Sequence, residues 1–391
     1  MNEIYVIESL RTPFGSFGGA LADVEAPHLG ETVMKGLLQC ANLDPAAVSE
    51  VIVGQVLSGG VGQAPARQAM RYAGLPDSVH AMTINKVCGS GLKAIMLGAG
   101  SIALGEAEIV IAGGMENMSQ APFILKKARY GYRMGHGELL DLMVYDGLQD
   151  PYTGRHMGEI ADAAAERHGF SRAAQDEYAI RSYQLAQKAV KGGIFKDEIV
   201  PVVKKSKKGE EVIADDEEPF KVDFEKLKLL RPAFTKEGTV TAGNASTISD
   251  GAALTLLAGT AAVKKHKLKP HARLVASATW GLPPDQFPDA PVGAMEAACA
   301  RAGLKITDID LFEINEAFAA VAMIAIKQLG LDLERVNVNG GAVAIGHPIG
   351  ASGGRLVATL VRELNKRQAH YGLATLCIGG GEAVAAIFER V

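Results

Sequence analysis

Apolar residues at Leu92, Ile95, Met96, Ala99, Ile102 and Ala103 recur at helical spacing, so LKAIMLGAGSIALGEAE predicts an amphipathic helix. The preceding VHAMTI reads as a short buried strand, which places Cys88 on a strand-to-helix turn, NKVCGSG. The same order of elements returns later. VCGSGLKAIMLGAGSIALGEAEIVIAGGMEN (87–117) and IGASGGRLVATLVRELNKRQAHYGLATLCIGGGEA (349–383) each run from a glycine-serine turn through a helix and a strand to a glycine run. LLQCANLDPAAVSEVIVGQ (37–55) likewise parallels AACARAGLKITDIDLFEIN (297–315), each a Cys-bearing helix, a polar turn and a strand. Units repeated at this distance are too long for a solenoid. They predict a duplicated α/β unit, two halves each with a mixed sheet and covering helices. Residues 119–244 interrupt the pattern with charge, as in KKARYGYR (126–133), KKSKK (204–208) and ADDEEPFK (214–221). They predict an inserted subdomain, helical from about 158 to 192 and then loop-rich, with the lysines at 204–208 in a solvated turn. NASTISDGAALTLLAG (244–259) returns to the texture of the core.

Composition narrows the class. A chain of 391 residues, 48% hydrophobic and with 45 glycines, can bury more than one core and fits an α/β enzyme. A net charge of −4 argues against nucleic acid as a partner, so an anionic ligand needs a local basic patch. Four cysteines without short regular spacing give neither a disulfide framework nor a zinc signature and point to a reducing compartment. MNEIYVIESLRTPFG carries no basic leader, the C-terminal Glu-Arg-Val is no peroxisomal signal, and apolar runs break before membrane length. The expectation is a cytoplasmic protein without a membrane partner.

Cys88 is open to two readings. A thiol at a helix start feels the positive end of the macrodipole, and Gly89 and Gly91 allow a tight turn and close approach, the logic of a nucleophile elbow. Equally, it can be a buried structural cysteine ahead of helix-packing glycines. The second half adds His347 in GHP ahead of a Ser-Gly-Gly helix start, Cys377 near the end of a buried strand before three glycines, and Asn315-Glu316 at another strand exit. Strand ends of open α/β sheets face a common crevice, so these groups can converge. On the catalytic reading Cys88 is the nucleophile, His347 its base, the N–H groups of Cys88 and the Gly379 region an oxyanion hole, and Cys377 a second acid/base. Two thiols without a metal pattern suggest acyl-thioester chemistry. Cys40 and Cys299 are assigned to core packing, and Glu316 to a structural brace. His80, His136, His168, His266, His271 and His370 carry no partner signal. The glycine runs at 112–114 and 379–381 lack the remainder of a phosphate loop.

NKVCGSGLKAIMLGAGSIALGEAEIVIAGGMENMS, NVNGGAVAIGHPIGASG and GLATLCIGGG resemble, in order and spacing, the three signature motifs of the thiolase family. The likeness spans the chain, including HMGEIADAAAERHG (156–169), RPAFTKEGTVTAGNAS (231–246) and NEAFA (315–319), and within the family it is greatest to the acetoacetyl-CoA thiolases. The resemblance implies an α/β thiolase fold, two βαβαβαββ halves in five α-β-α-β-α layers. It implies an N-terminal half of 1–118 plus 245–270, a CoA-binding loop domain of 119–244, and a C-terminal half of 271–391. It implies reversible Claisen condensation of two acetyl-CoA to acetoacetyl-CoA and CoA, by a ping-pong acyl-cysteine mechanism. By the same resemblance Cys88 is the acylated nucleophile and His347 its base. Cys377 moves the C2 proton, Asn315 holds a water in an oxyanion hole with His347, and Gly379 N–H completes a second hole with that of Cys88. Leu148, His156, Met157, Phe234, Ser246, Phe287 and Phe318 correspond to positions lining the CoA and acyl site. A homotetramer is implied, with residues near 119–140 joining dimers.

The resemblance implies no metal and no resident cofactor, with coenzyme A thioesters as substrates. Phe287-Pro288 is similar to the dipeptide of potassium-activated relatives, yet 215–224 lacks the tyrosine those enzymes use near the ion, so potassium dependence stays open. Glu382-Ala383 departs from the uncharged residue and glycine of many relatives. Two alternatives remain: a longer-chain 3-ketoacyl-CoA thiolase of β-oxidation, and a non-catalytic CoA- or lipid-binding protein or Cys88/Cys377 redox switch. A decarboxylating synthase of the same fold lacks the second cysteine, so Cys377 argues against it.

Overall fold

The computed structural model describes residues 3–206 and 209–391; Lys207 and Lys208 of the lysine-rich turn lie outside the described residues. The first half lays down β1 (Ile4–Arg11), α1 (Ala26–Cys40), β2 (Glu50–Gly54), α2 (Pro65–Tyr72), β3 (His80–Ile84), α3 (Ser90–Leu104), β4 (Ile109–Asn117) and β5 (Ser249–Gly259). Between β4 and β5 runs the insertion, with helices α4 (Met157–Arg167) and α5 (Arg172–Lys191). The second half repeats the order with β6 (Ala272–Gly281), α6 (Ala290–Ala302), β7 (Leu311–Ile314), α7 (Ala319–Leu329), α8 (Ser352–Arg367), β8 (Tyr371–Ile378) and β9 (Glu382–Arg390). Val336, paired in parallel with Phe312, stands where β3 stands in the first half.

The strands follow the order β7-β8-β9-β6-β1-β5-β4-β2-β3. Each half has the same internal order, and they meet where β1 pairs antiparallel with β6 through Ile4–Leu274, Tyr5–Arg273 and Val6–Ala272. Helices α1 and α2 cover the outer face of the first sheet, and α6 and α7 that of the second. Between the sheets lie α3 and α8, where Leu92, Ile95, Leu356 and Leu360 pack with Leu257 from one sheet and Phe388 from the other. The central strands are therefore dry on both faces, and β4 and β5 are buried at every position. Truncating a buried leucine such as Leu356 to alanine costs about 2–5 kcal/mol.

Three expectations change. VHAMTI is buried only at Val79: β3 is the outermost strand of its sheet, and Met82 is 42% exposed. Cys40 is exposed, because it ends α1 just beyond the turn that buries Leu37 and Leu38. Val87–Leu104 is long and apolar enough to cross a membrane by length and composition, with a mean hydropathy of 1.5. In the fold α3 occupies the middle layer, which accounts for that hydropathy.

The insertion is tied to β1 by Arg11. This buried guanidinium donates to Glu198 at 2.6 Å and to both oxygens of Asp216 at 2.6 and 2.8 Å. Removing one partner of such a buried set costs about 3–5 kcal/mol.

Candidate active site

A cavity of about 530 Å³ opens between the insertion and the ends of the two halves, and Cys88, His347, Cys377 and Gly379 all line it. Cys88 ends the turn between β3 and α3. Val87, just before it, has φ +45°, which a β-branched residue rarely adopts. The side chains around it hold that shape. Asn85 Oδ1 accepts from Val87 N–H at 2.9 Å, while Ser90 Oγ accepts from Lys86 N–H at 2.8 Å and donates to Val87 O at 2.7 Å. Burial raises the thiol, and the nearby N–H groups of Gly379 and of Cys88 itself, which favour the thiolate, offset it only in part. The thiol is pushed up to about 11 rather than down, as the helix-start argument alone anticipates.

The elbow meets the second half backbone to backbone. A Cβ on Gly91 would lie 2.9 Å from Gly350 O, and one on Gly353 would lie 2.2 Å from Leu92 N. This close approach brings the His347 turn against the start of α3. His347 is buried, and burial together with the Arg355 charge holds its imidazole far below the usual range, at about 3. It is therefore neutral at physiological pH. Its Nδ1 lies 2.5 Å from Ser352 Oγ, and Ser352 Oγ donates to Pro348 O at 3.0 Å. The hydroxyl proton is thus committed, so Ser352 accepts from Nδ1–H and Nε2 keeps its lone pair.

Nε2 lies 3.4 Å from Asn315 Nδ2, and Asn315 Oδ1 is buried without a protein partner among the described residues. Asn315 is within reach of His347 without itself bordering the cavity. Its neighbour Glu316 is a brace: its carboxylate accepts from Tyr178, Ser182, Asn337 and the Val343 N–H. Cys377, at the end of β8, is 1% exposed. Burial raises its thiol, and the nearby Cys88 sulfur raises it further.

The sequence-predicted wall residues Leu148, Met157, Ser246, Phe287 and Phe318 border the same cavity, as do His156 and Phe234. His156 caps α4: its Nδ1 accepts from Gly158 N–H at 3.0 Å, so Nε2 carries the proton. It stacks on Phe234 at 4.8 Å between ring centroids, Phe234 meets Phe318 edge-on at 6.0 Å, and Phe318 meets Phe287 at 6.4 Å. The wall is largely aromatic and aliphatic, suited to an apolar acyl arm with few polar contacts. Ser16, Glu218 and Lys221 border the cavity too and were not anticipated, because nothing local distinguishes them. The sequence also missed Glu116, buried at the end of β4, and the partner of His168, which lies 2.5 Å from Asp289. Among the described residues no cluster of His, Cys, Asp and Glu is arranged to hold a metal.

Residues 4–261 match the model for the thiolase N-terminal domain, and residues 268–390 that for the thiolase C-terminal domain. The acetyl-CoA acetyltransferase of Cupriavidus necator is 50% identical over 392 residues, all of this chain and all of that protein. The acetyl-CoA acetyltransferase of Pseudomonas aeruginosa is likewise 50% identical over the full length of both. The crystal structure of the Bacillus anthracis acetyl-CoA acetyltransferase superposes with a TM-score of 0.98 at 41% identity, covering 100% of this chain and 99% of that one. The duplicated halves, the elbow between them and the end-to-end match agree: the fold is the thiolase fold, and the chain belongs to the thiolase family.

Proposed function

We propose that this protein is an acetyl-CoA acetyltransferase that joins two acetyl-CoA to acetoacetyl-CoA and CoA, and runs the reverse thiolysis. The observation that carries the reading is the cavity in which Cys88, His347 and Cys377 meet beneath an apolar wall. Full-length relatives at 50% identity with that name support it.

In the first half-reaction His347 Nε2 takes the Cys88 proton as the sulfur attacks the thioester carbonyl. The N–H groups of Cys88 and Gly379 receive the oxyanion. CoA leaves with the proton of the Cys377 thiol, Cys88 holds the acetyl group, and His347 keeps the proton it took on Nε2. In the second, the Cys377 thiolate left by that transfer takes a C2 proton from a new acetyl-CoA. The enolate oxygen is stabilised by His347 and by a water held at Asn315, and the carbanion attacks the acyl-Cys88 carbonyl. The C–S bond breaks, the Cys88 sulfur regains its proton from His347, and acetoacetyl-CoA departs. A neutral thiol beside a neutral imidazole supports this order, since the proton moves only as the bond forms.

Leu148, His156, Met157, Phe234 and Ser246 are read as the pantetheine wall, and Phe287 with Phe318 as the acyl end. The insertion, 119–244, acts as the CoA-binding loop domain between halves 1–118 plus 245–270 and 271–391. The reading needs no resident cofactor. It includes a cytoplasmic location, which four free cysteines support. It also includes a homotetramer, which exposed Phe123, Tyr130, Met134 and Leu139 support as a contact surface. Thiolysis of acetoacetyl-CoA and of longer 3-ketoacyl-CoA thioesters by the purified protein tests the reading. Highest kcat/KM on the four-carbon substrate is expected; a steady rise with chain length favours a longer-chain thiolase, and no turnover removes both.

A further inference from the structure

Glu116 is fully buried, and among the described residues no cation pairs with it. A buried carboxylate is costly unless hydrogen-bond donors satisfy its oxygens. Here the donors are main-chain amides from both halves. Oε1 accepts from Leu57 N–H at 3.0 Å, and Oε2 accepts from Val56 N–H at 3.0 Å and from Gly350 N–H at 2.9 Å. Val56 and Leu57 follow β2 in the first half. Gly350 lies in the second, inside the short turn that begins at His347 and ends at Ser352. Those two residues share the bond that fixes the His347 tautomer. The fit is close: a Cβ on Gly350 would lie 2.6 Å from Glu116 Oε2, and one on Gly114, two residues before Glu116, would lie 1.8 Å from Gly350 O.

We propose that Glu116 is a positioning residue, which sets His347 against Cys88 by pinning the His347–Ser352 turn to the first half. The inference rests on the reading of His347 as the base. Glu116 acts through the turn and does not border the cavity. Glutamine cannot replace it. Three N–H groups converge on two oxygens, and an amide nitrogen in place of either oxygen sets a donor against a donor. The Glu116 charge also opposes ionisation of Cys88. Removing that charge alone eases thiolate formation and speeds acylation. A slower acylation in Glu116→Gln therefore reports displaced geometry rather than lost charge.

The experiment measures the rate of Cys88 acetylation by acetyl-CoA in rapid quench, with CoA affinity and thermal midpoint measured alongside. Wild type, Glu116→Gln, Gly350→Ala and His347→Ala are compared. Glu116→Gln is expected to acetylate roughly 10–100-fold more slowly, the scale of a catalytic group misplaced by about 1 Å, with CoA affinity retained. Gly350→Ala, which crowds the same carboxylate, is expected to do likewise, and it decides the question if Glu116→Gln does not fold. Acetylation at the wild-type rate in a folded variant overturns the proposal. So does a parallel fall of acetylation, CoA affinity and thermal midpoint, which marks a role in folding alone. Wild-type acetylation by His347→Ala instead removes the base reading on which the inference stands.

Discussion

His347 Nδ1 and Ser352 Oγ are 2.5 Å apart, and the serine proton is directed to Pro348 O. One hydroxyl thus decides which ring nitrogen of His347 is basic. Ser352→Ala leaves Nδ1–H buried without its acceptor, a loss of about 1–3 kcal/mol. Felt in the transition state, that is about 10- to 100-fold in kcat, with KM for acetoacetyl-CoA unchanged. Steady-state thiolysis checks it; an unaltered kcat contradicts the tautomer argument.

The two cysteines are expected to separate by half-reaction. After incubation with acetyl-CoA and digestion, mass spectrometry should find acetyl on the Cys88 peptide in wild type and in Cys377→Ser. Cys377→Ser should nevertheless condense on the order of 10²–10⁴-fold more slowly, the range for a lost general acid/base. Cys88→Ser should lose both steps. Acetyl found on Cys377 alone reverses the assignment.

The pH dependence follows from two opposite shifts. With Cys88 raised to about 11, iodoacetamide alkylation of the free protein should keep rising through pH 8–10 instead of levelling near neutrality. His347, lowered to about 3 against about 6.5 when unfolded, binds more protons in the unfolded chain between those values. It therefore withdraws stability as pH falls from about 6.5 toward 3. The sign for Glu116, raised to about 7, is reversed: its contribution is present at low pH and is lost as pH rises through neutrality. Denaturant midpoints of wild type and His347→Asn should converge as pH falls from 6.5 to 4. Parallel curves count against a neutral buried imidazole.

Coenzyme A is polyanionic and the chain is net acidic, so basic groups near the cavity rim should carry its phosphates. Lys221 is paired with Glu217, whereas Arg231, two residues from the cavity-lining Ala233, is exposed without an ion pair among the described residues. Arg231→Ala should raise KM for CoA a few-fold at low salt and leave kcat intact, and the difference should shrink as salt screens the contact. A CoA affinity indifferent to salt and to this change sets the phosphates elsewhere.

Phe287 is buried against Phe318 in the cavity wall. A flat ring held by Pro288 can leave a methyl-sized slot beside C2 that a flexible methionine fills. We expect 2-methylacetoacetyl-CoA to be thiolysed within about tenfold of acetoacetyl-CoA, since one methyl in an apolar pocket is worth roughly 1–3 kcal/mol. Phe287→Met should widen the gap; a much slower branched reaction unchanged by that substitution excludes the slot.

The duplicated halves and both glycine elbows were legible because period, turn chemistry and order are local properties of the chain. Cys88, His347 and Cys377 could be singled out because each sits at a strand or helix end beside glycine. What failed depends on the third dimension. β3 has the composition of a buried strand, but its place at the sheet edge follows only from strand order. Cys40 lies one helical turn too far along α1 to share its buried face. Glu116 reads as any acid at a strand end, since Val56, Leu57 and Gly350 are far from it in sequence. His168 likewise meets Asp289 only across the packed insertion.

The contact of Gly91 with Gly350, and of Gly353 with Leu92 N, sets main chain against main chain at the seam where the Cys88 turn meets the His347 turn, with the Glu116 carboxylate behind Gly350. The spacing of the two turns is therefore largely a main-chain dimension, which the rotamers of Cys88 and His347 cannot adjust. Mutation can enlarge it but can hardly tune it. Evolutionary drift in such a protein is channelled away from the seam and into the insertion, whose walls are side chains. Descendants of this chain can change what they accept far more readily than how they react.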